Sequence, residues 1–214
     1  MTTLICVRHG QSESNLAKRF TGQTETVLTP LGHAQAENTA RFLHEYPIDV
    51  IYSSDLERAM QTAEPTAKDH GLEIIPNREL REIFAGEWEG LLYATLTERF
   101  PESYRRWRED VGHAHPDGGE SALALGRRVS SEVDRLLAKH QGQCIALFTH
   151  ATPLRMLACR WFGRPFEDAA SVPWCNNASV SVIEYEDDGS FQVLLYGYDE
   201  HQGKDSTHFP KGAV

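Results

Sequence analysis

Apolar positions along the chain fall into short solid runs, separated by longer stretches in which they recur with helical spacing. The runs Leu4-Ile5-Cys6-Val7, Asp49-Val50-Ile51-Tyr52-Ser53 and Cys144-Ile145-Ala146-Leu147-Phe148 have the length of buried strands, and 73–76 is a weaker candidate. Between them the pattern predicts helices. Thr29-Pro30-Leu31 opens one, with threonine as N-cap and proline at the first helical position, and it continues to about Tyr46 before Pro47. A second covers 56–68, capped by Ser54 or Asp55 and ended near Gly71. A third pattern, over 91–110, is rich in aromatics and arginines and is interrupted at Pro101. After the loop at 113–119 a long helix begins near Glu120, and Thr152-Pro153 opens another. Two alternating runs, 179–185 and 191–196, flank Asp187-Asp188-Gly189 and predict a β-hairpin. Strands alternating with helices predict an α/β fold with a largely parallel sheet. The polar tail from about 199 reads as loose, and no internal repeat or low-complexity segment is present.

Composition narrows the function class. At 214 residues the chain is long enough for a substantial core, and its 40% hydrophobic and 24% charged residues are those of a globular protein. No apolar stretch approaches the roughly 18 residues that suggest a membrane span. The N-terminal MTTLICVRHG lacks the basic region and apolar core of an export signal. Four widely spaced cysteines without a CxxC pair read as reduced thiols, and the expected location is the cytoplasm. A net charge of −10 without a basic stripe argues against nucleic acid or an anionic membrane as partner. It leaves room for a small anion held by a few focused cations.

The candidate chemistry lies at the strand exits, where α/β sheets gather ligands. The first strand ends at Arg8-His9-Gly10, the second leads to Arg58 one turn into the next helix, and the strand ending at Phe148 leads to His150 before a helix start. Taken singly, each has a plainer reading: Arg58 as a solvated helix arginine, His150 as a capped or core histidine, Arg8 and His9 as a surface loop. Taken together, two arginines and two histidines beside helix N-termini suit a dianion such as phosphate.

The segment RHGQSESN closely resembles the signature of the histidine phosphatase superfamily, the phosphoglycerate mutase-like proteins. The resemblance continues through RFTGQTETVLTPLGHAQA, IYSSDLERAMQTA, LREIFAGEWEG, DGGES and FTHATPLRML, so it covers nearly the whole chain. It implies one domain over 1–214: a three-layer sandwich with helices on both faces of a mostly parallel sheet. A helical cap inserted at about 84–119 would lie over the strand C-terminal ends. It implies His9 as nucleophile, with Arg8, Arg58 and His150 forming the phosphate pocket. Asn15 would add a neutral donor, Thr21, Gly22 and Gln23 a substrate-contacting loop, and Glu82 the proton donor, with Glu79, Glu87 and Glu89 as rivals whose plainer reading is surface charge. One departure stands out: where the family usually has glycine after the second histidine, this chain has Ala151, whose methyl could crowd the pocket.

Within the family, Phe84-Ala85-Gly86-Glu87-Trp88-Glu89-Gly90 looks like the broad-specificity phosphatase branch. The expected activity is therefore cofactor-free hydrolysis of a small phosphorylated metabolite through a phosphohistidine. The alternatives are mutase-type phosphoryl transfer, for which Arg105 and Arg106 could serve as substrate arginines, and a catalytically silent phospholigand binder. A metal-dependent hydrolase is disfavoured, because His113-Ala114-His115 sits in a loop as an incomplete ligand set. Phe84, Trp88, Phe100, Tyr104 and Trp107 of the cap are read as an apolar wall in part and as packing for the rest. The terminal hairpin leaves a sheet edge with which a second copy could pair as a homodimer.

Overall fold

The computed structural model describes residues 1–207. Its centre is a six-stranded sheet in the order β3-β2-β4-β1-β5-β6. The strands are β1 (Thr2–Arg8), β2 (Val50–Ser53), β3 (Ile74–Pro76), β4 (Cys144–Thr149), β5 (Val180–Tyr185) and β6 (Phe191–Tyr198). The first four are mutually parallel, whereas β5 and β6 form an antiparallel hairpin added to β1. Helices α1 (Glu13–Leu16), α2 (Pro30–Leu43), α3 (Glu57–His70), α4 (Tyr93–Arg99), α5 (Pro101–Glu109), α6 (Ala122–Lys139) and α7 (Ala151–Trp161) complete the chain.

The solid apolar runs have a direct cause: β1 and β4 are covered on both faces. Side chains alternate across the sheet. Leu4 and Cys6 of β1 and Ile145 and Leu147 of β4 belong to one cluster with residues of α4, α5, α6 and α7. Ile5, Val7, Ala146 and Phe148 pack on the other side with Leu43 of α2 and Ala63 and Ala67 of α3. The result is the expected layered α/β arrangement.

Two helix starts differ from the sequence reading, those of α3 and α7. Neither Ser54 nor Asp55 caps α3, whose N-cap is Leu56 without a side-chain bond. Their side chains are committed elsewhere: Ser54 Oγ lies 2.8 Å from His150 Nε2, and Asp55 takes Arg81 in a two-pronged pair at 2.6 and 2.7 Å. Helix α6 begins at Ala122 with Ser121 as its cap, close to the expected start near Glu120, and Glu120 pairs with Arg128. Helix α7 starts at Ala151, so His150 itself is the N-cap.

The chain after Tyr198, expected to be loose, is anchored as far as it is described. Glu200–Asp205 forms 3-10 turns against α2. Gln202 is buried, and its amide donates to the carbonyls of Gln35 and Ala178 and to Thr39 Oγ1. A polar composition gave no warning of this, because the anchoring group is itself polar. The last seven residues lie outside the described part.

Candidate active site

Register brings the site together. In the parallel pair β1–β4, Arg8 stands opposite Thr149, so the next residues, His9 and His150, leave adjacent strands side by side. Their ring centroids are 5.2 Å apart. The neighbouring strand β2 ends at Ser53, and a short turn leads into α3, whose first turn carries Arg58. Gly10 allows the chain to leave β1 tightly: a Cβ there would meet the Gly32 carbonyl oxygen of α2 at 2.6 Å.

Arg8, His9, Arg58 and His150 are all buried. The His9 ring is held by Nδ1, 2.7 Å from the Gly10 carbonyl oxygen, which fixes the hydrogen on Nδ1. The lone pair is then on Nε2, toward which Arg58 Nε donates at 3.3 Å. Burial above all, and then the charges of Arg58 and Arg8, hold the His9 imidazole well below its ordinary pKa. Burial, Arg58, His9 and Arg8 do the same to His150. Both rings are therefore neutral near pH 7, the state in which imidazole is a nucleophile. His150 Nδ1 is buried without a hydrogen-bond partner among the described residues.

The two guanidiniums are aimed by carbonyls. Arg8 Nη1 donates to the Cys175 carbonyl at 2.6 Å, and Arg58 reaches Gly22 O at 2.8 Å and Thr24 O at 3.2 Å. Burial pushes each arginine down to about 10, which leaves both cationic at neutral pH. Buried cations of this kind are satisfied by an anion. Arg8, His9 and Arg58 line one cavity with Asn15, Thr21, Gly22 and Glu82.

Glu82 reaches the cavity with both carboxylate oxygens engaged, one by its neighbour's Ile83 N–H at 2.8 Å, the other by Thr152 N–H in the first turn of α7 at 3.2 Å. Asn15 accepts from Ser12 N–H and Asn177 Nδ2 on its Oδ1, leaving its own amide hydrogens to offer. Gln23 differs from the others. Its side chain turns to the Glu82 carbonyl at 3.1 Å and to Arg81 at 3.3 Å, and it does not line the cavity. Ala151 lines the cavity in the first turn of α7 with negative φ, so the helix start needs no glycine there. Of the cap aromatics, Trp107 lines the cavity, while Trp88 and Tyr104 are buried in the core and Phe84 is exposed. Arg105 is exposed and pairs with Glu102 and Glu109 on its own helix, and neither it nor Arg106 lines the cavity.

Residues 4–198 match the family described as the histidine phosphatase superfamily, branch 1. The chain belongs to that superfamily. Phosphoserine phosphatase 1 of Hydrogenobacter thermophilus is 35% identical over 187 residues, which span 87% of this chain and 88% of that protein. The adenosylcobalamin/alpha-ribazole phosphatase of Escherichia coli is 36% identical over 166 residues, 77% of this chain and 81% of its own length. The solved structure of Bacillus stearothermophilus YhfR superposes with a TM-score of 0.89 at 27% identity, covering 94% of this chain and 99% of that one.

The sequence reading missed part of this histidine phosphatase's site, the segment before β5. There Asn177 Nδ2 and Ala178 N–H both donate to the His9 carbonyl, at 3.1 and 3.2 Å. Ala178 holds φ +54 to do so, a left-handed conformation that costs a non-glycine residue about 1–2 kcal/mol. Trp174, also on the cavity wall, lies over the Arg155 guanidinium at 4.1 Å. Among the described residues no group of three or more His, Cys, Asp and Glu side chains gathers as a metal would require, and no helix is long and apolar enough to cross a membrane.

Proposed function

We propose that the protein is a phosphomonoester hydrolase that works through a phosphohistidine at His9. One observation carries the reading: His9 lines a cavity together with two buried guanidiniums, and its neutral imidazole is tethered by Nδ1 so that the lone pair is on Nε2. In the first step His9 Nε2 attacks phosphorus and the P–O bond to the leaving group breaks. Glu82, protonated for this step, gives its proton to the leaving oxygen. Arg8 and Arg58 neutralise charge on the equatorial oxygens and Asn15 donates to them, while the neutral His150, which does not itself line the cavity, stands beside His9. In the second step water attacks phosphorus, Glu82 takes its proton, and the P–N bond breaks to return His9 and inorganic phosphate.

The leaving group would lie toward the cap, against Trp107 and Trp174. Thr21 and Gly22 would border it, with Gln23 supporting from behind. Phosphoserine and alpha-ribazole phosphate, named for the relatives, are the first substrates to try. Four buried free cysteines support a reducing, cytoplasmic setting. The exposed Phe191 and Leu194 on edge strand β6 support a homodimer formed there.

The deciding experiment measures phosphate release from a panel of phosphomonoesters, including 3-phosphoglycerate, by wild type and His9→Ala. Release that disappears in the variant supports the mechanism, and the ranking of esters identifies the leaving group. Undiminished release by the variant would sink it. Isomerisation of 3-phosphoglycerate without release would favour the mutase alternative.

A further inference from the structure

We infer that Glu89, which does not touch the cavity, is a positioning residue that sets both the phosphate-binding Arg58 and the proton donor Glu82. The inference rests on the phosphatase reading above. Glu89 follows a 3-10 turn (Gly86–Trp88), and its carboxylate is wrapped by the loop at 21–24. Oε1 accepts from the backbone N–H groups of Gln23 and Ala85, each at 2.9 Å. Oε2 accepts from Thr24 N–H at 2.8 Å and from the Thr24 hydroxyl. The loop is packed against the carboxylate so closely that a Cβ on Gly22 would come within 2.3 Å of Oε1, and Gly22 holds φ +54.

What this loop does explains why it is held so firmly. Its carbonyls at Gly22 and Thr24 receive Arg58. Its Gln23 side chain donates to the Glu82 carbonyl. One loop thus aims the guanidinium from one side and the acid from the other, and a single carboxylate fastens it. Three backbone donors converging on one anion form charge-assisted bonds, stronger than neutral ones. An amide in the same place could accept on one oxygen only and would set N–H against N–H.

The two functions predict separable losses. Aryl esters such as p-nitrophenyl phosphate have leaving groups that need little protonation, whereas alkyl esters such as phosphoserine depend on the acid. Glu89→Gln is expected to raise the inhibition constant of inorganic phosphate severalfold, through Arg58. It should also lower kcat on a turned-over alkyl ester at least tenfold more than on p-nitrophenyl phosphate, through Glu82. Gln23→Met cuts the second link, and with it the Arg81 contact, but leaves the loop's backbone bonds to Glu89 and its carbonyls for Arg58, so it should show the selective alkyl loss with phosphate binding unchanged. Equal losses on both ester types with an unaltered phosphate constant would mean that Glu89 merely supports the fold, and would overturn the inference. If Glu89→Gln does not fold, absence of the selective loss in Gln23→Met overturns it. Failure of the phosphatase reading looks different: wild type then hydrolyses no ester through His9. Calorimetric titration of inorganic phosphate into wild type and Glu89→Gln would then decide the Arg58 half, with equal affinities counting against it.

Discussion

His9 and His150 are neighbours because Arg8 and Thr149 are register partners across two parallel strands. Their separation, 5.2 Å between ring centroids, is thus set by the sheet and not by loops. Two histidines built on strand ends are held more rigidly than side chains carried on loops.

Replacing Arg58 by methionine should lower kcat by about 10²–10³, the cost of losing one preorganised group that stabilises the transition state. Lysine should not restore it. Arg58 uses separate nitrogens for His9, Gly22 and Thr24, and a single ammonium cannot reproduce that fork. Steady-state kinetics on any turned-over ester checks both variants.

Glu82→Gln is expected to cost about 10²–10⁴ in kcat on alkyl phosphates, the usual contribution of a positioned proton donor. The glutamine retains one oxygen for the Thr152 N–H and sets its amide against the Ile83 N–H, so a urea titration of the variant separates any loss of stability from the loss of the acid. An activity on phosphoserine-type esters equal to wild type would return the acid's role to another group.

Stability should fall on acidification below about pH 6.5, the unperturbed histidine value. The sign follows from burial: His9 and His150 resist protonation when folded, whereas their unfolded counterparts take up a proton. The unfolded state then binds more protons, and each histidine lowers the unfolding free energy by up to about 1.4 kcal/mol per pH unit until its folded pKa is reached. Chemical denaturation between pH 7 and pH 5 should give a shallower slope for His9→Asn than for wild type; identical slopes would contradict the buried-neutral assignment.

Gly10→Ala should destabilise the protein by about 1–3 kcal/mol, the usual cost of forcing a methyl into filled space. The obstacle is backbone, the Gly32 carbonyl at 2.6 Å, and cannot rotate away. Activity should drop with it, because the residue that shifts is bonded to His9, the proposed nucleophile. Urea titration and phosphate release on the same preparation test both consequences.

Much of this was readable in the chain because strand ends announce themselves. A solid apolar run that stops at Arg8-His9, or at Thr149-His150, marks both the end of a buried strand and the place where ligands gather. Arg58 was legible from its position one turn into the helix after β2. What could not be read was support given by main-chain atoms. Cys175 orients Arg8 through its carbonyl, a group every residue has, so no side-chain pattern points to it. Gln23 was legible as a member of the loop but not in its direction, since an amide serves a neighbouring carbonyl as readily as a ligand. The caps of α3 were misread for a similar reason: Ser54 and Asp55 are good caps, but His150 and Arg81 engage them across the fold.

The anchoring of residues 199–207 has a practical side. Thr207 Oγ1 donates to Asn177 Oδ1, and Asn177 Nδ2 donates to the His9 carbonyl, so two hydrogen bonds separate the last described residue from His9. A purification handle or fluorophore joined near Thr207 is therefore joined beside the cavity wall, where a probe's signal reports on occupancy and a bulky tag obstructs it. Met1 lies at the other end of β1, roughly 25 Å from His9 at the rise of an extended strand. That end is the one to decorate when the catalyst is to be left undisturbed.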